Sequence, residues 1–396
     1  MARLKTVAFN SILAIGALAV TLAAALAIDS WLNLGLRFAI ATLFQKSIQE
    51  PEPIMYVYDN DTGWRLNPRT QYHRSLSGPF FGLAGLQGYD ARLRVNSEGF
   101  LDRDHYVQTH YYRIAFLGNS WVEAVQQEFG SRFAPLTEDY VHDKSGGRKV
   151  VEVMNFGVSN GSPAHSYGVI HSYMAKYHPD EAWLFVTAAD IRSNTPIDTQ
   201  PPFGGTFVYA DAAKTELRDI RFGYVDPPAY VRAQRVKAMG EGTVTDAGFA
   251  HVMTAHYSRE RDPTYDRVWN DMRMVMGLIK RTLDAQGTRM RVVYIPPRYE
   301  IDPVLWEQWR RQAVKGAGRE LALDPAESER RFAGLARGLG VEFVSLTPLC
   351  KEKGPAEMYG DHFSRMGHHW VADYLARLVI DTVPESPKTA PRREAP

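Results

Sequence analysis

Ser120 follows a short apolar run, Ile114-Ala115-Phe116-Leu117, and then Gly118. Such a run reads as a strand buried on both faces. The glycine permits a sharp turn, and the serine stands where the chain should enter a helix. A hydroxyl there lies beside backbone N–H groups and the positive end of a helix dipole, and both stabilise a developing oxyanion. An ordinary strand-to-helix loop whose serine only caps the helix fits the stretch as well. Ester chemistry asks for more: a nucleophile, a base within hydrogen-bond reach, a carboxylate to orient that base, and donors for the oxyanion. His362 and Asp361, in DHFSRMGHHW near the end of the chain, supply base and carboxylate in type, and the N–H groups of Ser120 and Gly157 supply donors. His362 and His368 are six residues apart, a spacing that fits no zinc motif, so no two-His metal site is expected there.

These residues need a scaffold. From residue 113 apolar strand candidates at 114–117, 150–155, 182–187, 291–295 and 341–345 alternate with helix candidates at 164–177, 263–285, 325–339 and 370–379. Alternation of this kind implies a parallel sheet covered on both faces, a flavodoxin-like three-layer α/β/α arrangement. Ligands of such sheets bind at the carboxyl ends of the strands. Ser120, the NFGVSNG loop at 155–161, the AADIRSN loop at 188–194 and the Asp361-His362 pair all fall at or near those ends. Asp324, Pro325 and Glu327 form a good helix start.

The 396 residues carry 46 basic and 45 acidic side chains, a net of +1. No basic field points to nucleic acid. A single cysteine, Cys350, excludes an internal disulfide framework and a cysteine metal cluster. Residues 6–28 hold no charge, and at 1.5 Å per residue they span a bilayer core of about 30 Å. Arg3 and Lys5 precede them, and no base follows until Arg37. The expectation is one uncleaved N-terminal transmembrane helix with the rest of the chain outside the cytoplasm; Ala25-Leu26-Ala27, a small-residue cleavage site, makes a signal peptide the rival. The expected organisation is a cytoplasmic N-terminus and anchor at 1–28, a juxtamembrane segment and extended lead-in at 29–110, an α/β domain at 111–380 and a disordered tail at 381–396. Residues 195–261, rich in Pro, Gly and aromatics, read as an insertion in the α/β domain that can serve as a lid or a protein-partner surface.

The four loops together resemble the blocks of the SGNH/GDSL hydrolase superfamily, in its membrane-anchored branch associated with envelope polysaccharide acylation. FLGNSWVEA resembles the nucleophile block, VMNFGVSNG the block carrying the glycine donor, LFVTAADIRSN the block ending in Asn-Asp, and GDHFSRMGHHWVADYL the block carrying the histidine base. NSEGF at 96–100 resembles the lead-in of that branch. The resemblance implies an SGNH hydrolase-type fold and an esterase or O-acyltransferase without metal or nucleotide. Ser120 then matches the nucleophile, His362 the base and Gly157 the oxyanion donor. The implied substrate is an O-acyl ester, O-acetyl foremost, on an envelope polysaccharide or glycolipid, and the implied location is the outer face of a bacterial cytoplasmic membrane. Three positions depart from the pattern. Asn119 replaces an Asp. Ala189 stands where the third block has Asn, and one lost oxyanion donor costs about 10²–10³ in rate; Asn160 and Asn194 are the candidate substitutes. Asp361 directly precedes His362, and neighbouring side chains of an extended segment point to opposite faces. Ala189 and the insertion also motivate another reading: a catalytically degenerate domain that binds or scaffolds within a membrane assembly.

Overall fold

The computed structural model describes residues 55–59, 61–76, 89–193, 207–210, 219–222, 253–260, 263–360 and 362–385, together with residue 21. Five strands form one parallel sheet: β1 (Tyr112–Gly118), β2 (Val151–Gly157), β3 (Glu181–Val186), β4 (Arg289–Tyr294) and β5 (Glu342–Ser345). Their spatial order is 2-1-3-4-5, the flavodoxin-like order, in which the chain reverses its direction of travel between β1 and β3. The loops after those two strands carry Ser120 and Asp190.

The helices that build the site or cover the sheet are, in chain order, α1 (Ser120–Glu123), α2 (Phe133–Lys144), α3 (Pro163–Val169), α4 (Pro263–Ala285), α5 (Glu327–Gly338) and α6 (Arg365–Ile380). Strand side chains alternate between two cores. Ile114, Phe116, Val153, Trp183, Phe185 and Val293 pack against α2 and α6. Ala115, Leu117, Met154, Leu184, Val186 and Val292 pack against α3, α4 and α5. A strand between two dry layers must be apolar on both sides, which is why β1, β2 and β3 read as nearly continuous apolar runs. Helix α4 shows the complementary pattern: Trp269, Met272, Met276, Ile279 and Leu283 are buried at a spacing of three to four residues.

Strand positions agree with the sequence expectation to within two residues at each end, and α4 begins and ends where expected. The expected helix at 164–177 is subdivided. Ser162 caps it through His165 N, α3 ends at Val169, and a π turn (Ile170–Met174) and a 3₁₀ turn (Ala175–Tyr177) complete the segment. Helix α5 starts at Glu327, because Asp324 Oδ1 accepts from Ala326 N and holds the preceding residues in a turn. Helix α2 was not foreseen; Pro135 in its first turn looks like a breaker but falls where a missing N–H costs nothing. The helix Pro303–Ala317 was not foreseen either, although Asp302 accepts from Val304 N and Leu305 N and Pro303 holds the first position, a legible start.

The lead-in forms two antiparallel pairs, Tyr56–Asp59 with Gly63–Leu66 and Gln71–Leu76 with Tyr89–Arg94. It is fastened to the sheet's carboxyl edge: Trp64 Nε1 donates to Ser159 O at 3.0 Å, and Tyr56 OH donates to Glu123 Oε2 at 3.0 Å. A second tie joins it to the strands, where His105 lies between Asp102 and Glu152, 2.9 Å from each. Of 195–261, the antiparallel pair Phe207–Ala210 and Asp219–Phe222 and residues 253–260 are described. The expected anchor at 6–28, residue 21 apart, and the end of the tail lie outside the described residues; among the described residues no helix is long and apolar enough to cross a membrane.

Candidate active site

Ser120 is the first residue of α1. Asn119 caps that helix, its side chain accepting from Trp121 N at 3.0 Å. The same side chain donates through Nδ2 to Asp190 Oδ1 at 3.1 Å. Asp190 also accepts from Thr187 N at 2.6 Å. Burial pushes the Asp190 carboxyl up to about 7 against those donors. Asp190 therefore ties the loop after β3 to the loop after β1, which fixes the turn that presents Ser120. The Asn that replaces the expected Asp at 119 supplies a donor that an aspartate would lack.

His362 arrives from the other end of the chain. Gly360 N donates to His362 O at 2.8 Å, and Tyr359 and Phe363 pair across the turn, so the histidine sits at the tip of a tight loop. Tyr359 OH donates to Pro296 O at 2.7 Å, and Ser364 caps α6 through Gly367 N; both anchor the loop to the body. The imidazole leans on Trp121, with ring centroids 4.6 Å apart. Its Nε2 lies 2.7 Å from Ser120 Oγ, although the two residues are 242 positions apart in sequence. A hydroxyl and an imidazole nitrogen at that distance share a proton, and both side chains are only partly buried, so a substrate can reach them.

The other expected site residues fare differently. Gly157 ends β2, but its N–H donates to Asn155 Oδ1 at 2.9 Å. In the structure that hydrogen is engaged by Asn155, and the glycine also allows a close approach of backbone. A Cβ at 157 would lie 2.2 Å from Glu123 N and 2.6 Å from Val122 C. Asn160 sits in the turn after β2 with φ 60 and an exposed side chain. Asp361 and Asn194 lie outside the described residues. Ala189 is in the turn before Asp190, whose N donates to Thr187 O at 3.2 Å.

The structure adds Gln126 and Glu123, which the sequence reading did not single out, and places His368. Gln126, buried, places its Nε2 2.9 Å from His362 Nδ1. A cleft of about 360 Å³ opens beside it, lined mainly by polar side chains, among them Glu128, Ser131 and Arg365, and by Phe363. Glu123, at the end of α1, is fully buried and accepts from Tyr56 OH and Ser159 Oγ. His368 is buried against Phe133 and accepts from Phe133 N at 3.2 Å, capping α2 from α6; burial holds it neutral, down to about 3.

Burial raises the Glu123 carboxyl from 4.5 to about 7, outweighing its two hydroxyl donors. A carboxyl raised in the folded state gives stability that is fully present below pH 4.5 and lost as the pH rises through about 7. The displacement corresponds to on the order of 3 kcal/mol. Glu123→Gln keeps an oxygen that can accept both hydroxyls. It is expected to match the wild type in urea melts at pH 5 and to exceed it by on the order of 2–3 kcal/mol at pH 8. Parallel stabilities at the two pH values would contradict an ionisation cost at this site.

No protein-family model and no curated protein matches the chain. Solved structures do. A lipase/acylhydrolase from Enterococcus faecalis is similar at 13% identity and a TM-score of 0.36, covering 69% of this chain and 98% of its own. The acetyl xylan esterase AlAXEase is similar at 14% identity and a TM-score of 0.36, covering 67% of this chain and 99% of its own. A two-domain esterase active on acetylated mannans is similar at 11% identity and a TM-score of 0.34, covering 71% of this chain and 52% of its own.

Proposed function

We propose that the chain is an SGNH-type serine ester hydrolase or O-acyltransferase. It acts on O-acyl esters, O-acetyl foremost, of an envelope polysaccharide or glycolipid, and it is held at the outer face of a bacterial cytoplasmic membrane by residues 6–28. One observation carries the reading: Ser120 Oγ stands 2.7 Å from His362 Nε2, at the carboxyl edge of a parallel sheet and beside its switch point. In the proposed reaction the Ser120 hydroxyl gives its proton to Nε2 as Oγ bonds to the acyl carbon. The tetrahedral oxyanion faces the Ser120 N–H in the first turn of α1, where backbone donors have no intrahelical partner. Nε2 returns the proton to the departing sugar oxygen, leaving an acyl-serine. Water or a second sugar hydroxyl then takes the acyl group by the same steps in reverse, with His362 as base.

The cleft beside Gln126, the neighbour of His362, is lined mainly by polar side chains, which suits a hydroxylated substrate better than a fatty chain. The anchor and the location rest on the uncharged run at 6–28 and the bases that precede it. Acetate release from O-acetylated xylan and O-acetylated mannan by the full-length chain, set against Ser120→Ala, tests the substrate class. Release well above the variant's background is expected; equal release from both overturns it. Transfer rather than hydrolysis would appear as acetylated product when an unacetylated oligosaccharide is added.

Engagement of Gly157 N–H by Asn155 and the alanine at 189 favour a second reading, a domain that binds an acylated saccharide without turning it over, within a membrane assembly. Saccharide binding with no acetate release in any of these assays is the outcome that selects it.

A further inference from the structure

We infer that Gln126 is the positioning residue for His362, in the place where a carboxylate would otherwise orient the base; the inference rests on the ester chemistry proposed above. The geometry is built on one turn. Ala124, directly after α1, adopts φ 55 and ψ 52, a left-handed conformation that costs a non-glycine residue about 1–2 kcal/mol. Its N–H donates to Ser120 O, Gln127 N donates to Ala124 O, and Arg132 Nε donates to Gln127 O. These bonds bend the chain back on itself. Ser120 and Gln126, six residues apart, therefore bracket one imidazole: Oγ at Nε2, 2.7 Å away, and the amide at Nδ1, 2.9 Å away. Gln126 is buried and Trp121 flanks the ring, so the bracket holds the imidazole on three sides.

Two hydrogen-bond patterns fit these distances. With the amide nitrogen toward Nδ1, the proton of a neutral imidazole sits on Nε2 and points at Ser120, and the base cannot accept. A half-turn of the amide exchanges Oε1 and Nε2 and puts the oxygen in the same place. Nδ1–H then donates to Oε1, and Nε2 is free to take the serine proton. The inference selects this second pattern. An amide performs the same task in papain-like sites, where Asn orients the histidine. A neutral amide fixes the tautomer and the orientation of the ring without adding a charge beside it.

The test uses the full-length chain with p-nitrophenyl acetate and with ¹⁵N-labelled histidine. Gln126→Ala is expected to lower kcat by about 10²-fold with KM nearly unchanged. Gln126→Glu is expected to recover kcat to within about tenfold of the wild type and to move the acidic limb of the kcat/KM profile upward by about one pH unit. Equal losses in both variants with unmoved limbs, or wild-type kinetics in Gln126→Ala, overturn the inference. The ¹⁵N spectrum of wild type above pH 8, with His362 assigned by His362→Gln, reads the tautomer without any turnover: Nδ1–H is expected, and Nε2–H overturns it. A wild type that shows Nδ1–H yet hydrolyses no ester sinks the proposed activity and leaves the orientation by Gln126 standing.

Discussion

Replacing Ser120 with alanine is expected to lower kcat for p-nitrophenyl acetate by at least about 10⁴-fold while leaving the urea midpoint within experimental error. The size follows from chemistry. In the proposed reaction Oγ is the atom that forms the acyl bond, and without it the residual rate would come only from binding and backbone donors, which in serine hydrolases leaves about 10³–10⁴ over water. The unchanged stability follows from structure. Asn119, not Ser120, caps α1, and the Ser120 carbonyl that accepts from Ala124 N stays in the variant. His362→Gln is expected to fall as far, because nucleophile and base act as one unit, and the double variant should fall no further than either single one. Additive losses would mean that the two side chains act separately, despite their 2.7 Å contact.

The second large effect is on folding. Gly157→Ala is expected to cost at least about 3 kcal/mol and to abolish activity in the fraction that folds. The added methyl would meet backbone on a neighbouring element, Glu123 N at 2.2 Å and Val122 C at 2.6 Å, so no rotamer can relieve it. Either β2 or α1 must move, and α1 carries Ser120. A midpoint shift in urea together with lost turnover checks this. Wild-type stability would mean that α1 does not rest on the end of β2. The outcome also separates packing from hydrogen-bond donation at this glycine: alanine keeps the N–H that serves Asn155, so a donor role alone would leave activity intact.

Much of the fold was legible because burial on both faces writes itself into sequence. Ile114 to Leu117, with no polar interruption, has one reading in an α/β chain, and the Trp269 to Leu283 stripe fixes α4. The sheet-edge rule placed both Ser120 and His362 near one rim, and the pairing itself came from the resemblance of FLGNSWVEA and GDHFSRMGHHWVADYL to the nucleophile and base blocks. The misses have physical causes. Pro135 disguises α2 because a proline in a first turn looks like one in a helix interior. Gln126 carried no signal: a neutral amide six residues past the serine is not a residue type that marks a base-orienting group, and only the αL turn at Ala124 returns it to the imidazole. The close approach of Gly157 to α1 carried no sequence signal beyond the glycine itself, because the backbone it meets, Val122 and Glu123, lies on another element. The AADIRSN loop is held to the loop after β1 by Asp190, through Asn119 and Thr187.

The most direct measurement is covalent. The full-length protein is treated with a fluorophosphonate, digested, and the adduct mapped by mass spectrometry, alongside Ser120→Ala and His362→Gln. If the Ser120 hydroxyl is a nucleophile activated by His362, the phosphonyl mass is expected on the peptide that contains Ser120, absent in Ser120→Ala and at least about tenfold slower to appear in His362→Gln. An unlabelled wild type, or label that persists when Ser120 is gone, would contradict it.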